Sequence, residues 1–294
     1  MAQRLDGKAV AREVHREVQE GVEAFRSAVG RSPGLRVILV GDDPASKIYV
    51  RKKRELAARL GMDSEVLTFP ADTPESVVLD TLDRLNEARE VDGILVQLPL
   101  PPHFSTQTVI QRIAPEKDVD GFHPLNLGRL FSGLPAFAPC TPLGILRMFQ
   151  HYGITLEGKR VVVMGRSLIV GRPMGILMLH EHATVTWVHS RTREAKAITR
   201  EADVLVVAVG RRELVDDSWI KAGAVVVDVG IRRTEPGRLT GDVQQDAVAA
   251  RASYLTPVPG GVGPMTVAML MWNTLAAARF REGLSDRMGS YPLA

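Results

Sequence analysis

Apolar and polar positions alternate along the first hundred residues with two different periods. Valines recur every fourth position between residues 8 and 29, with charged residues between them, and this spacing predicts an amphipathic helix that ends at Gly30. The next apolar run, residues 35–41, is short and continuous, which predicts a buried strand. Helices are then predicted at 45–60 and 74–88, and strands at 65–69 and 92–98. Strands that alternate with helices are typical of a parallel sheet covered on both faces.

The second half of the chain repeats this alternation after a break. Residues 99–140 are rich in proline and are predicted to be irregular. A helix at 142–151 follows, and strands are predicted at 158–165, 184–188, 203–207 and 224–228, with helical segments between them. Residues 264–282 are rich in Ala, Met and Leu and predict a long final helix. The expected fold class is therefore α/β, in two units.

Composition agrees with this architecture and excludes several classes of protein. The 294 residues exceed one average domain, and a hydrophobic fraction of 45% is ordinary for a globular protein. The chain has no run of about 18 apolar residues, and no apolar stretch follows its N-terminal charges. Neither a membrane span nor a secretory signal is therefore predicted. Cys140 is the single cysteine, which excludes an intrachain disulfide and favours a cytoplasmic location.

The charge pattern argues against a nucleic-acid partner. The formal net charge is only +3, and the densest basic cluster, residues 51–54, is followed by Glu55 and has no aromatic residues within it. A small anionic substrate or cofactor fits this mild positive bias better than a nucleic acid does.

A strand that runs directly into a glycine turn is the first candidate binding motif. In VVVMGRSLIVGRPMG, residues 161–175, Gly165 ends the apolar strand and Gly171 opens a helix. This layout is typical of a dinucleotide turn, because glycines let the backbone approach a pyrophosphate and the helix N-terminus offers free N–H groups. Ser167 stands where the usual motif has its second glycine, so an ordinary strand–helix turn remains an alternative on this pattern alone.

The end of the next strand favours NADP over NAD. A site selective for NAD commonly places an acid there to bind the ribose 2′-hydroxyl. Here Ser190 and Arg191 occupy that position, and the first acid is Glu194. Guanidinium groups bind phosphate through paired hydrogen bonds, so this sequence suits a 2′-phosphate. A solvated basic loop is the alternative. Three residues in loops that follow the later strands are expected near the nicotinamide: Gly210, Gly230 and Ile231.

A tyrosine and a lysine share one face of the second predicted helix. Tyr49 and Lys53 are four residues apart, and Ser46 lies on the same side. A lysine that is partly removed from water can exchange protons near neutral pH, and a neighbouring tyrosine can present its ring to a heteroaromatic substrate. A purely structural pair has the same spacing and remains the alternative.

Polar residues near the end of the strand at 92–98 are further candidates. Gln97 follows an apolar run, so it must find hydrogen bonds if it is buried, either to a functional group or to loop backbone. Asp118 and Asp120 lie in a turn-rich loop, where either could close an Asx turn. A carboxylate at this position could also accept two hydrogen bonds from the amino-pyrimidine edge of a pterin.

Six motifs in order give a family resemblance that covers about residues 4–282. They are ASKIYVRKK, VDGILVQLPLP, KDVDGFHPLNLGRL, PCTPLGIL, GRSLIVGRP and TPVPGGVGPMT. In this order and spacing they resemble the bifunctional methylenetetrahydrofolate dehydrogenase/methenyltetrahydrofolate cyclohydrolase family. The resemblance implies NADP-dependent oxidation of 5,10-methylenetetrahydrofolate to 5,10-methenyltetrahydrofolate, followed by hydrolysis to 10-formyltetrahydrofolate.

The same resemblance implies an architecture and partners. Two α/β domains are expected to flank a cleft: a folate-binding catalytic domain at 1–140 and 264–294, and a Rossmann-type NADP-binding domain at 141–263. The expected ligands are tetrahydrofolate one-carbon derivatives and NADP, with no metal, no nucleic acid and no membrane. A homodimer is expected.

Four residues are expected to form the catalytic site by this resemblance. Lys53 would move protons as water attacks the methenyl carbon and the ring opens. Tyr49 would stack on the folate, Gln97 would hydrogen-bond Lys53, and Asp120 would hold the pterin. These four residues would therefore bind the substrate as well as act on it.

The resemblance also assigns residues to the two binding surfaces. The folate side of the cleft would be shaped by Pro259, Gly260 and Gly263. The cofactor-contacting positions are Gly165, Arg166, Ser167, Ser190 and Ile231, with Arg191 an added candidate for the 2′-phosphate. Three alternatives stay open: a shikimate- or amino-acid-type dehydrogenase, an NADP-binding protein without catalysis, and a family member with little cyclohydrolase activity.

Overall fold

The computed structural model describes residues 1–234, 238–289 and 291. Within these residues the chain forms two compact units. One joins Met1–Glu13 to Thr141–Met269 and is here called the six-stranded unit, after its sheet. The other joins Val14–Cys140 to the chain from Leu270 onward and is called the three-stranded unit.

The three-stranded unit is a regular alternation of strands and helices. The chain begins with β1 (Gln3–Arg4), which belongs to the six-stranded unit, and α1 (Gly7–Val29), which enters the three-stranded unit at Val14. There follow β2 (Gly34–Val40), α2 (Pro44–Arg59), β3 (Asp63–Phe69), α3 (Glu75–Glu87) and β4 (Gly93–Val96). The strands lie parallel in the order β3–β2–β4, with Val37 opposite Val66 and Leu95. Every residue of β2 is buried because helices cover both faces of this central strand, which explains its largely apolar sequence.

The proline-rich stretch that was predicted to be irregular contains two short helices, α4 (Thr106–Arg112) and α5 (Pro124–Phe131). Ser105 caps α4 by accepting a hydrogen bond from the Thr108 amide (3.2 Å), and His123 caps α5 at the Leu125 amide (3.0 Å). Helices of seven and eight residues are too short to show the period of a buried face. Caps, rather than periodicity, therefore define both of them.

A longer set of elements follows in the six-stranded unit, and the last helix of this set passes into the three-stranded unit at Leu270. They are α6 (Cys140–His151), β5 (Arg160–Met164), α7 (Gly171–His180), β6 (Thr184–Val188), α8 (Ala195–Thr199), β7 (Val204–Val207), a 3₁₀ helix (Asp217–Trp219), β8 (Val225–Asp228), β9 (Arg232–Thr234), β10 (Arg238–Thr240), α9 (Gln245–Ala249), β11 (Tyr254–Leu255) and α10 (Val262–Arg281). The strands β9 and β10 pair as an antiparallel hairpin.

The main sheet of this unit has the order β1–β11–β8–β7–β5–β6, with every pair parallel. The chain passes from β5 to β6 on one side and returns to β7 on the other side of β5. The order of the strands therefore reverses beside β5. In open parallel sheets, ligands bind outside the carboxyl ends of the strands at such a reversal.

The compact units and the predicted functional domains have different boundaries. Residues 1–13 and 264–269 lie in the six-stranded unit, where β1 pairs with β11 through Gln3 and Tyr254. The domain ranges 1–140 with 264–294, and 141–263, therefore stay predictions about function. Residues 290 and 292–294 of the first range lie outside the described residues.

Among the described residues, no helix combines the length and the apolar character that crossing a membrane requires.

Candidate active site

The helix α2 brings Tyr49 and Lys53 to one side of the three-stranded unit. Pro44 occupies its first turn, and the Asp43 carboxylate caps it by accepting a hydrogen bond from the Ser46 amide (2.7 Å). Lys53 is only 8% exposed, whereas its basic neighbours at 51, 52 and 54 are exposed. Of the four consecutive basic side chains at 51–54, only that of Lys53 therefore lies on the buried face of this helix.

Gln97 is the hydrogen-bond partner of that lysine. The Lys53 ammonium donates to Gln97 Oε1 over 3.0 Å, and Gln97 Nε2 donates to the Leu98 carbonyl over 2.8 Å. The second contact orients the amide, so its oxygen and not its nitrogen faces Lys53. Gln97 follows β4 directly, and its own backbone amide donates to the Ile38 carbonyl (2.8 Å). The sheet thus fixes a neutral acceptor at Lys53.

Asp120 lies close enough to Lys53 for their charges to interact. Burial raises the pKa of Asp120 to about 6, and this effect outweighs the nearby Lys53 ammonium, which favours the ionised form. The Asp118 carboxylate adds to the increase. The thiol of Cys140 hydrogen-bonds to Asp120. The structure therefore brings Lys53, Gln97 and Asp120 together, as the sequence predicted.

The neighbouring acid Asp118 has a structural role. Its carboxylate accepts hydrogen bonds from the His123 amide (2.7 Å), the Phe122 amide (3.3 Å) and the Asn126 side chain (2.9 Å). Complete burial raises the pKa of Asp118. Of the two acids in this loop, Asp118 therefore holds the loop, and Asp120 is the one whose charge interacts with Lys53.

Two residues that sequence reasoning missed support the Asp120 loop. Cys140 Sγ contacts the Val119 carbonyl (3.3 Å). Asn273 Nδ2 donates to the carbonyls of Val119 (2.8 Å) and Ala138 (3.2 Å) from α10, where Asn273 is fully buried. A buried amide in an otherwise apolar helix is the sequence signal that could have identified Asn273.

Tyr49 lies at the edge of this group. Its side chain is 36% exposed, and partial burial raises the pKa of its phenol, which stays neutral near pH 7. An exposed, uncharged ring is suited to stacking on a flat ligand.

A cavity of about 480 Å³ lies at the carboxyl ends of β5, β6 and β7 in the six-stranded unit. It therefore coincides with the reversal of strand order. Its wall is formed by Met164, Gly165, Arg166, Val188, His189, Ser190, Thr192, Ala195, Ala208, Val209, Arg211, Leu214 and Trp219. Three of the predicted cofactor residues, Gly165, Arg166 and Ser190, belong to this wall.

The glycine turn beside the cavity has no room for side chains. Gly165 has φ +125°, and a Cβ atom there would lie 2.3 Å from the Ala208 carbonyl oxygen. A Cβ atom on Gly171 would lie 2.4 Å from the Gly165 carbonyl oxygen. The Ser167 hydroxyl accepts from the amides of Val170 and Gly171, each over 3.2 Å, and so holds the turn that leads into α7. This close turn and the helix N-terminus fit the pyrophosphate of a dinucleotide.

The arginines near the cavity differ in position. Arg166 lines it, and so does Arg211, which sequence reasoning missed although it directly follows the loop after β7. Arg191 is exposed and lies between the lining residues Ser190 and Thr192, but does not itself form part of the wall.

The remaining predicted residues also lie in the six-stranded unit. Gly260 has φ +108°, and its carbonyl accepts from the Lys8 amide (3.2 Å). A Cβ atom on Gly263 would lie 3.2 Å from Ile231 Cδ1, so these two predicted residues are neighbours. Ile231 is 40% exposed. Pro259 follows a cis peptide bond. No group of His, Cys, Asp or Glu in the described part of the chain is arranged to hold a metal ion.

A parallel sheet with a glycine turn, a helix that begins directly after it and a cavity at the strand-order reversal define a Rossmann-type dinucleotide-binding protein. Family models identify the chain more closely. The model for the catalytic domain of tetrahydrofolate dehydrogenase/cyclohydrolase matches residues 5–120, and the model for its NAD(P)-binding domain matches residues 139–282. The chain belongs to the tetrahydrofolate dehydrogenase/cyclohydrolase family.

Individual relatives are similar over almost their whole length. The chain is 56% identical over 281 residues to the bifunctional protein FolD of Thermus thermophilus, covering 96% of this chain and 98% of that one. The solved FolD enzyme of Campylobacter jejuni has a TM-score of 0.94 and 44% identity, covering 96% and 100% of the two chains. The Trypanosoma brucei enzyme, solved with NADP cofactor and an inhibitor, has a TM-score of 0.91 and 41% identity, covering 96% and 98%.

These matches confirm the predicted family, the α/β fold class and the predicted pair of enzyme activities. They also exclude the alternative of a shikimate- or amino-acid-type dehydrogenase, because both halves of the chain match the tetrahydrofolate dehydrogenase/cyclohydrolase family. The roles of individual residues stay predictions.

Proposed function

We propose that this chain oxidises 5,10-methylenetetrahydrofolate to 5,10-methenyltetrahydrofolate with NADP, and then hydrolyses the product to 10-formyltetrahydrofolate. The observation that carries this proposal is the buried Lys53, hydrogen-bonded to Gln97 over 3.0 Å and interacting with Asp120. Because the chain belongs to the tetrahydrofolate dehydrogenase/cyclohydrolase family, the substrate assigned to these three residues is a tetrahydrofolate derivative.

Hydrolysis needs a proton carrier, and Lys53 is placed to be one. When water attacks the methenyl carbon it must lose a proton, and a folate ring nitrogen must gain one as its bond to that carbon breaks. One amine can remove the first proton and deliver the second. Gln97 accepts a hydrogen bond from the Lys53 side chain through its amide oxygen and so orients the amine toward the site.

Binding of the folate is assigned to Asp120 and Tyr49. As a carboxylate, Asp120 can accept two hydrogen bonds from the amino-pyrimidine edge of the pterin. The exposed Tyr49 ring can stack on the same ring system. Pro259, Gly260 and Gly263 are proposed to complete the folate side.

The oxidation step depends on orientation more than on acids and bases. A tetrahydrofolate nitrogen pushes electron density toward the methylene carbon, from which hydride departs, and NADP when bound supplies the hydride acceptor. The contribution of the protein is to hold both reactants in a productive geometry. We assign Gly165, Arg166, Ser167, Ser190 and Ile231 to holding the dinucleotide, with Arg191 at its 2′-phosphate.

Replacing Arg191 by alanine is expected to raise the KM for NADP about 30-fold while changing the KM for NAD less than twofold, because a charge-assisted contact to phosphate is lost. Steady-state kinetics of both cofactors would measure this. Arg211→Ala is the matched comparison, because Arg211 lines the cavity itself. An equal loss for NADP and NAD in Arg191→Ala would remove Arg191 from the phosphate site.

We further propose that the chain acts as a homodimer in the cytoplasm. The family resemblance supports the dimer, and the single cysteine, buried Cys140, agrees with a reducing compartment.

Spectroscopic assays test the proposed function with each substrate separately. Purified protein should reduce NADP in the presence of 5,10-methylenetetrahydrofolate. In a second assay without nucleotide, it should make the absorbance of 5,10-methenyltetrahydrofolate decay faster than in buffer. Absence of both activities would overturn the proposal, whereas reduction without hydrolysis would leave the interpretation of a family member with little cyclohydrolase activity.

A further inference from the structure

A pair of buried carboxylates that the proposed reaction does not use lies at the carboxyl edge of the six-stranded sheet. Asp242, fully buried after β10, accepts hydrogen bonds at Oδ2 from the amides of Val209 and Gly210, each over 2.8 Å. Asp242 Oδ1 has no hydrogen-bond partner among the described residues. A single oxygen of this side chain therefore holds the loop that follows β7.

Asp228, at the end of β8, fixes Asp242 in turn. Asp228 Oδ1 accepts from the amides of Gly230 (3.0 Å) and Asp242 (2.9 Å), and Oδ2 accepts from the Val243 amide (3.1 Å). The two carboxylates thus connect the loop after β7, the loop after β8 and the return of the β9–β10 hairpin.

Two glycines allow the carboxylates to lie against the backbone. A Cβ atom on Gly230 would lie 2.5 Å from Oδ1 of Asp242, and one on Gly241 would lie 1.9 Å from Oδ2 of Asp228. The packing is reciprocal. Gly230, which lies in the segment of Asp228, faces Asp242, and Gly241, which lies in the segment of Asp242, faces Asp228. The geometry leaves these three segments little freedom to shift independently.

The pair formed by Asp228 and Asp242 adjoins two surfaces that are assigned to the dinucleotide. Val209 lines the cavity of about 480 Å³. Ile231, 40% exposed, follows Gly230 immediately. Burial raises the pKa of Asp228 to about 6, and the neighbouring Asp242 adds to this increase, so ionised Asp228 is less favourable in the folded protein than in the unfolded chain. A buried acid with a raised pKa that adjoins a binding surface is typical of a functional site.

We propose that Asp242 is a positioning residue for the dinucleotide, and that it acts by fixing the Val209–Gly210 loop and, with Asp228, the start of the β9–β10 hairpin at Ile231. This proposal rests on the proposed function, because it assumes that the cavity binds NADP. Asp242 does not touch the ligand in this account. Its effect is transmitted through two backbone amides and one exposed apolar side chain.

The test compares Asp242→Ala and Asp242→Asn in the full chain. Alanine removes the one oxygen that accepts from both loop amides, so the KM for NADP is expected to rise about 10-fold or more. Asparagine keeps one oxygen that can accept from both amides, so its KM is expected to stay within about threefold of wild type. Hydrolysis of methenyltetrahydrofolate without nucleotide should stay within about twofold in both variants, because Lys53 and Gln97 belong to the other compact unit.

Asp203→Asn is the matched control. Asp203 is in the same unit and precedes β7, and it accepts from the Arg160 amide (2.9 Å) and from the Lys221 ammonium (2.5 Å). The Asp203→Asn substitution should leave the KM for NADP unchanged. An unchanged KM in Asp242→Ala with intact hydrolysis would overturn the proposal. So would an equal loss of both activities, or a KM in Asp242→Asn raised as far as in the alanine variant. A wild-type protein that hydrolyses methenyltetrahydrofolate but does not bind NADP would instead overturn the proposed function.

Discussion

Lys53→Met is expected to lower the rate of methenyltetrahydrofolate hydrolysis about 10³-fold while leaving the affinity for NADP within about twofold of wild type. Methionine keeps most of the length and the apolar character of the lysine stem but cannot carry a proton. The nucleotide residues lie in the other compact unit, so binding of NADP should be unaffected. The decay of methenyltetrahydrofolate absorbance measures the rate of hydrolysis, and a direct titration with NADP measures the affinity for the cofactor.

Lys52→Met is the matched control for this prediction. Lys52 is the preceding residue on the same helix, but its side chain is exposed, so its loss should leave both activities near the wild-type rate. A Lys53→Met protein with full hydrolytic activity would refute the role given to Lys53. If the two variants lost activity equally, the charge of the helix rather than the buried amine would be responsible.

Asp120→Asn is expected to lower kcat/KM about 100-fold for both folate substrates, again without effect on NADP binding. The amide presents one acceptor and one donor to a pterin edge that offers two donors, so one hydrogen bond is kept and the other is replaced by repulsion between two donors. Steady-state kinetics with each folate would measure this. Asp80→Asn, which changes an exposed carboxylate on α3 of the same unit, should leave kcat/KM unchanged. A loss in Asp120→Asn confined to hydrolysis would contradict a role in holding the pterin.

The raised pKa of Asp120 also predicts how wild-type activity depends on pH. Because the pKa of the carboxyl group is about 6 and the pterin needs the ionised form, kcat/KM should fall as pH decreases through 6. Between pH 7.5 and pH 5 the ionised fraction, and with it kcat/KM for either folate, should decrease about tenfold. Asp120→Asn should lack this dependence. A wild-type profile that stays flat across this range would contradict the carboxylate role.

Much of the architecture could be predicted because it depends on local patterns. The buried strand β2 was predicted from a short apolar run and the helix α1 from apolar residues at helical spacing. The structure places both within one residue of the predicted bounds. By contrast, β1 and β11 are two residues long and exist through pairing with other strands, β1 with β11 and β11 also with β8, which no local pattern records. The same holds for α4 and α5, whose ends are set by caps.

The candidate site divides in the same way. Spacing alone could place Lys53 on the face of Tyr49, and the glycine turn could be identified from Gly165 and Gly171. The partner of Lys53 could not be deduced from spacing, because Gln97 is 44 residues away and reaches it through the fold of the sheet. Its assignment came from the ordered family motifs.

Residues that act through other residues were the hardest to identify from sequence. Asn273 supports the Asp120 loop from a helix 154 residues away from Val119, and Asp242 holds amides 32 and 33 residues upstream. Neither stands in a motif whose chemistry is evident, since an amide or a carboxylate near a turn usually serves the turn itself. Only the three-dimensional contacts distinguish these positions.

One time course tests most directly whether a single chain performs both reactions. The wild-type protein is mixed with 5,10-methylenetetrahydrofolate and NADP, and the absorbances of NADPH and methenyltetrahydrofolate are recorded together. We expect NADPH to accumulate while methenyltetrahydrofolate stays below it, because hydrolysis consumes the product of the oxidation. Absence of NADPH, or methenyltetrahydrofolate that accumulates in step with NADPH and decays only at the rate seen in buffer, would contradict the account.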